Sequence, residues 1–140
     1  KLTGFHIEDT GGTTVHTLKN NDPATFVFSY ECKEPKNIGN VDIGFSLDRN
    51  QSLVSVVYNS YTKENIQNLE TSGSIRFAME KLPLAPGVYG IGVRILVDGI
   101  EADWPKGAIG SFEVLPSNEY TSKGFRSDPN SVLLLDGQWS

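Results

Sequence analysis

Between Gly87 and Val97 the apolar side chains fall on every second residue. Tyr89, Ile91, Val93, Ile95 and Val97 hold one parity, while Gly90, Gly92 and Arg94 stand between them. Successive side chains of a strand face opposite sides of its sheet. This segment therefore reads as a strand with one solid apolar face and one face of nearly bare backbone carrying a single cation. An amphipathic helix is excluded, because its apolar residues recur at intervals of three and four. Glycine weakens a strand interior and marks places where another group comes close to the backbone, so the question is what covers the bare face.

The same two-residue period recurs along most of the chain. "KLTGFHIED" reads as a first strand, Gly11–Gly12 as its turn, and "TTVHTLKN" as one short second strand. "ATFVFSYECK" follows the turn residues Asn20 to Pro23 and places Phe26, Phe28 and Tyr30 on one parity. "VDIGFSLD" directs Val41, Ile43, Phe45 and Leu47 inward and Asp42, Gly44 and Ser46 outward. "RNQ" turns into "SLVSVVYNS", the polar stretch "YTKENIQNLETSG" reads as a loop with room for a short helical turn, and "SIRFAME" resumes the alternation with Ile75, Phe77 and Met79. Asp98–Gly99 is a hairpin turn signal, and "AIGSFEVL" is a further strand with Phe112 and Val114 inward. Eight or nine short strands separated by turns every ten residues or so imply an all-β fold, an Ig-like antiparallel β-sandwich.

The domain plan follows from composition. Residues 1–115 form the sandwich, residues 116–131 are a polar linker, and residues 132–140 hold the isolated apolar segment "VLLLDGQW". That segment is expected as a C-terminal strand that completes its own sandwich or exchanges with a second chain, since swapping a terminal element is a low-cost route to dimers. Its dimerisation candidates are Val132, Leu133, Leu134, Leu135 and Trp139. A chain of 140 residues buries about two-thirds of its unfolded surface, which one domain needs. The net charge of −5 and the absence of a basic stripe argue against a nucleic-acid partner, because there is no cationic footprint to release counterions. Cys32 is the only cysteine; it reads as a buried, inert thiol and fits a reducing compartment. No apolar run has the length of a membrane helix and no signal peptide is visible. The chain begins at "KLTGFHIED" without an initiator Met, as a piece of a longer protein would.

No set of residues assembles a catalytic centre. His6 and His16 lack metal-ligand spacing, and no nucleophile elbow, phosphate loop or dinucleotide fingerprint is present. Asp98, Glu101 and Asp103 in "VDGIEADW" read as solvated hairpin carboxylates, since their spacing is not that of a calcium loop. Carboxylates so close along one hairpin are poorly placed to flank a glycosidic bond from both sides. Trp104, beside Pro105, is expected as a ring sealing one end of the sandwich rather than as a sugar-stacking platform. The expectation is therefore a protein without catalytic residues, metal or cofactor.

Several marks coincide in order and spacing: "FHIEDTGG", "TFVFSYE" followed by "IGNVDIGFSLDR", "LPLAPGVYGIGVRILVDG", Asp103–Trp104, and "GSFEV" at Gly110 to Val114. Together they resemble the C-terminal domain of Wzt-type nucleotide-binding subunits of O-antigen ABC transporters. The resemblance implies a cytoplasmic, non-catalytic carbohydrate-binding module, peripheral to the inner membrane, that follows an ATPase domain. It also implies recognition of the finished end of an O-antigen polysaccharide, selection of that polymer for export, and homodimerisation with C-terminal strand exchange. Contact with the transporter membrane subunit would run through the full-length protein. This sequence has no Walker motif, so the ATPase domain is expected upstream of Lys1.

The site residues rest on strand parity instead. In Ig topology "VDIGFSLD", "GVYGIGVRIL" and "AIGSFEV" share a sheet, and their outward residues Asp42, Gly44, Ser46, Gly90, Gly92, Arg94, Ser111 and Glu113 form a shallow polar trough. Tyr58, Asn59 and Tyr61 supply its rim. Such a trough suits a sugar chain, whose hydroxyls discriminate because a buried polar group left unpaired costs about 1–3 kcal/mol. One site is expected to bind with an affinity on the order of µM to mM, and two sites on a dimer add avidity if one polymer reaches both. Two alternatives stand beside this reading. In one, a second subunit or the loop Tyr61–Ser72 covers the glycine face, Arg94 pairs with Asp42 or Glu113, and the domain only holds two ATPase subunits together. In the other, it is an accessory sugar-binding module of a secreted protein.

Overall fold

The computed structural model describes residues 1–34, 39–62, 64, 66–67, 69–117, 129–134 and 139. Ten strands run in the order β1 (Leu2–Glu8), β2 (Thr14–Val15), β3 (Thr17–Lys19), β4 (Ala24–Glu31), β5 (Val41–Arg49), β6 (Ser52–Tyr58), β7 (Ser72–Met79), β8 (Gly87–Val97), β9 (Ile100–Asp103) and β10 (Gly110–Leu115). One sheet has the order β2-β1-β4-β7, and the other β3-β10-β8-β5-β6 with β9 added to β8. β5, β8 and β10 are thus neighbours, as parity and topology required.

The expected single strand "TTVHTLKN" is divided. It breaks at His16, so that Val15 pairs with Ile7 in one sheet while Thr17–Lys19 joins the edge of the other. Val15, a member of the first sheet, packs against the core and Leu18, in the second, is buried within it; a straight strand cannot serve both sheets, and the chain crosses between them. β3 runs parallel to β10, and every other strand pairing among the described residues is antiparallel.

The core lies where the two inner faces meet. β4 contributes Phe26 and Phe28, β5 Val41, Ile43, Phe45 and Leu47, β8 Tyr89, Ile91, Val93 and Ile95, and β10 Phe112 and Val114, all buried. Phe26 sits edge-on to Phe45 with ring centroids 5.4 Å apart, and Tyr89 stacks on Phe112 at 5.6 Å. These are the offset and edge geometries that aromatic rings prefer. β5 and β8 pair without a shift from Val41↔Val97 to Asp48↔Gly90, so no bulge exchanges the faces of β8. Two hairpin turns, Asn50–Gln51 and Asp98–Gly99, place both central residues at positive φ, the type I′ arrangement that matches strand twist.

The stretch after β6 is less loop-like than its composition suggests. Asn59–Thr62 makes one turn of 3-10 helix, and Ile66 forms a bridge with Val41. Cys32, expected inside, is half-buried just past β4, where its N–H donates to the Thr71 carbonyl at 2.8 Å.

Part of the C-terminal region packs on the sandwich. Leu133 bridges Leu84, the Ala85 N–H donates to Val132, and the Leu134 N–H donates to Pro83. Val132 packs against the core, Leu133 is about half exposed and Trp139 fully so. Leu135 and most of the expected linker lie outside the described residues.

Candidate functional site

The outer face of the larger sheet is built from pairs across β5 and β8. Gly44 stands opposite Arg94, Ser46 opposite Gly92, and Asp48 opposite Gly90. Each glycine makes room for a neighbour. A Cβ on Gly44 would fall inside the Tyr58 ring, which lies across it from β6; one on Gly90 would be 2.6 Å from Asp48 Oδ1; one on Gly92 would be 3.0 Å from Ser46 Oγ. The bare face of β8 is thus partly covered by short polar side chains leaning over from β5.

A cleft of about 520 Å³ remains above this floor. Val56 and Tyr58 of β6 line one side, Trp104, Pro105, Gly107 and Ala108 of the β9–β10 connection line the other, and Gln51 and Asp48 also contribute. The volume is in the range of small-molecule and cofactor sites. Trp104 is 60 % exposed and therefore does not seal the end of the sandwich, as its place beside Pro105 suggested. Its ring lies under the Arg94 guanidinium, whose Cζ is 4.9 Å from the ring centroid, within the range of a cation–π contact. Arg94 Nε also donates to Glu101 Oε1 at 3.1 Å, so among the described residues it pairs with Glu101 rather than with Asp42 or Glu113.

The connection overhangs a break in the sheet. On the side of β8 away from β5, β10 pairs with Gly87–Ile91 and β9 with Ile95–Val97. Among the described residues, Gly92, Val93 and Arg94 have no strand partner there.

Of the residues chosen by parity, Gly44, Ser46, Tyr58, Gly92 and Arg94 line this cleft. The others have different surroundings. Asp42 accepts from the Ser60 N–H at 3.2 Å and from its hydroxyl at 2.7 Å, fixing the 3-10 turn. Asn59 substitutes for a missing strand: its Oδ1 accepts from the Ile43 N–H at 2.7 Å, and its Nδ2 donates to the carbonyls of Val41 and Glu64. Tyr61 is exposed and packs on Tyr58, ring centroids 5.4 Å apart. Gly90 lies beneath Asp48, while Ser111 and Glu113 are exposed on β10 outside the cleft lining. Parity had a signal for Asp48, which continues the outward series Asp42, Gly44 and Ser46; it had none for Gln51, Val56, Pro105, Gly107 or Ala108.

The hairpin carboxylates are separate. Asp98 accepts from the Asn40 N–H at 3.0 Å, Asp103 from the Leu2 N–H at 2.7 Å, and Glu101 is engaged by Arg94.

The family model of the Wzt C-terminal domain matches residues 1–126. The chain belongs to the Wzt C-terminal domain family. This makes it a domain of the O-antigen ABC transporter type. A solved structure, the crystal structure of the C-terminal domain of wzt, superposes with a TM-score of 0.71 at 17% identity, covering 100% of this chain and 82% of that one. At that identity the likeness shows the fold. A second structure is Pseudomonas fluorescens alkylpurine DNA glycosylase AlkC bound to DNA containing an abasic site analog. It aligns with a TM-score of only 0.42 at 14% identity, over 79% of this chain and 30% of that one, and carries no argument. None of the curated proteins matches the chain. Among the described residues of this Wzt-family domain, no helix is long and apolar enough to cross a membrane.

Proposed function

We propose that this Wzt-family domain is a non-catalytic carbohydrate-binding module that holds the terminal part of an O-antigen polysaccharide in the β5–β8 cleft and so selects the polymer for export. The observation that carries this reading is the pairing of an exposed Trp104 ring with a floor of Gly92, Ser46 and Gly44. An aromatic face offers apolar area to a sugar ring, while the floor lets a chain lie close to the backbone. Ser46, Asp48, Gln51 and the Nη groups of Arg94 present donors and acceptors to hydroxyls. In this reading the domain works in the cytoplasm, at the inner membrane, as part of a transporter subunit.

The test is an amide NMR titration of the domain with O-polysaccharide from its source organism, with polymer lacking its non-reducing terminal group as control. Saturable shifts at Gly92, Arg94, Ser46 and the Trp104 indole with native polymer alone are expected. Shifts confined to other surfaces would move the site elsewhere. An absence of shifts with any polymer, beside a stable dimer, would make the domain a device for holding two subunits together.

A homodimer is the second part of the proposal, favoured by the way the C-terminal segment docks. Arg49 donates to the carbonyls of Ser131 and Pro129, the Ala85 N–H and the Tyr89 hydroxyl reach the Val132 carbonyl, and the Leu134 N–H donates to the Pro83 carbonyl. A second copy carries the identical segment, so the same seat accepts it in exchange.

A further inference from the structure

The break in the β8 edge gives the cleft a more specific chemistry. Both main-chain polar groups of a strand residue point to the same side, and the side alternates along the chain. Ile91 offers its carbonyl to the Ile109 N–H at 2.7 Å, and Val97 pairs with Ile100 across the hairpin turn. The odd-numbered residues of β8 therefore direct their N–H and C=O toward β10 and β9. Val93 is the odd-numbered residue in the interval that neither strand reaches. Val93 is only 3% exposed as a whole residue, with its side chain in the core, yet it lines the cleft. What it shows there is main chain. A buried backbone donor and acceptor without a partner is rare in folded proteins; this pair has no partner strand among the described residues and lies beside Gly92, over which Ser46 leans from the β5 side.

We infer that the Val93 N–H and C=O form a backbone subsite for two neighbouring hydroxyls of one sugar ring, a vicinal diol, next to the Trp104 ring. The inference rests on the proposed carbohydrate role and specifies how the sugar is read. One hydroxyl accepts from the N–H while its neighbour donates to the C=O. A carboxylate only accepts and an ammonium only donates, so neither satisfies both groups. An incoming peptide strand has no run of edge to pair with, because β9 and β10 close the interval on either side. The opening thus favours a neutral diol over an ionic substituent or a peptide, and the Gly107 carbonyl, 3.8 Å from where a Gly92 Cβ would lie, limits how far a ring can tilt.

The experiment is residue-resolved amide exchange on the intact domain, free and saturated with O-polysaccharide from the source organism. In the free domain the Val93 amide should exchange about tenfold or more faster than those of Ile91 and Ile95, which have ladder partners. Saturation should slow it to their level and shift its resonance. Replacing the Val93 amide by an ester, which removes the N–H, should weaken binding about tenfold, the loss of one well-made hydrogen bond. Polymer whose vicinal diols have been cleaved by periodate and reduced should leave Val93 unchanged. Slow exchange of Val93 in the free domain would overturn the subsite, since its N–H would already be partnered. Movement of Trp104 and Arg94 signals with Val93 silent would overturn the subsite and leave the carbohydrate reading standing. No movement anywhere with the polymer would overturn both.

Discussion

Gly44, Gly90 and Gly92 share one sheet face, yet the groups that fill the space above them differ in what they can yield. Above Gly44 lies the rigid Tyr58 ring; above Gly90 lies a carboxylate at the end of a rotatable side chain. Gly44→Ala should therefore push the Tyr58 ring aside and lower stability by about 1–3 kcal/mol, the cost of overpacking. Gly90→Ala should let Asp48 swing away and stay within about 0.5 kcal/mol of the parent. Urea unfolding of the two variants checks the contrast, and equal losses would mean that Tyr58 is as free to move as Asp48. Trp104 belongs to the same scale. Its exposed ring holds little of the fold together, so Trp104→Ala should leave the melting temperature nearly unchanged. Polysaccharide affinity should fall about tenfold or more, since stacking a sugar on the ring buries apolar area at roughly 25 cal/mol per Å². Calorimetric titration beside a melting curve separates the two effects.

At the scale of elements, Asn59 shows how a side chain completes a sheet. β6 pairs with β5 only from Gly44 onward, and beyond that point the Asn59 amide makes the bonds a further strand residue would have made to Ile43 and Val41. Asn59→Ala should cost about 1–3 kcal/mol by leaving the Ile43 N–H unpaired in a part-buried place. Asn59→Asp should recover part of the loss, because the acceptor survives and the donor does not. Denaturant midpoints order the three proteins. Strand parity made much of this architecture legible: β8 alternates without a bulge, so the inward and outward faces of Tyr89 to Val97 follow directly from the sequence. Asn59 was legible only as a polar residue at the end of a strand, because its task depends on where β6 stops. Trp104 was hidden for a related reason. Its position is set by the path of the β9–β10 connection over a break in β8, and no local period records the path of a connection.

On the scale of the whole molecule, Tyr89 links the core to the C-terminal segment. Its hydroxyl donates to the Ala85 carbonyl at 2.6 Å and lies 3.3 Å from the Val132 carbonyl. Arg49, 5.8 Å from the same ring, holds the carbonyls of Ser131 and Pro129. Burial raises the Tyr89 pKa above its ordinary value of 10.0, and the nearby Arg49 only partly opposes this by charge and hydrogen bonding. A folded-state pKa raised above the unfolded one means that the fold favours the protonated phenol. The stability it contributes is fully present below pH 10 and is lost as pH rises through the raised value, at up to about 1.4 kcal/mol per pH unit for one proton. The phenolate cannot donate to either carbonyl, so the seat of residues 129–134 should loosen together with the core. Urea midpoints measured from pH 8 to pH 11 should fall more steeply for the parent than for Tyr89→Phe, which has no proton to lose and starts lower by about 1 kcal/mol for the missing hydrogen bond. If the segment is exchanged between two copies, the alkaline loss should also become dependent on protein concentration, since releasing it then separates subunits. Parallel pH slopes for the two proteins would remove Tyr89 as the link, and would leave Arg49 and the main-chain bonds from Ala85 and to Pro83 to hold the segment.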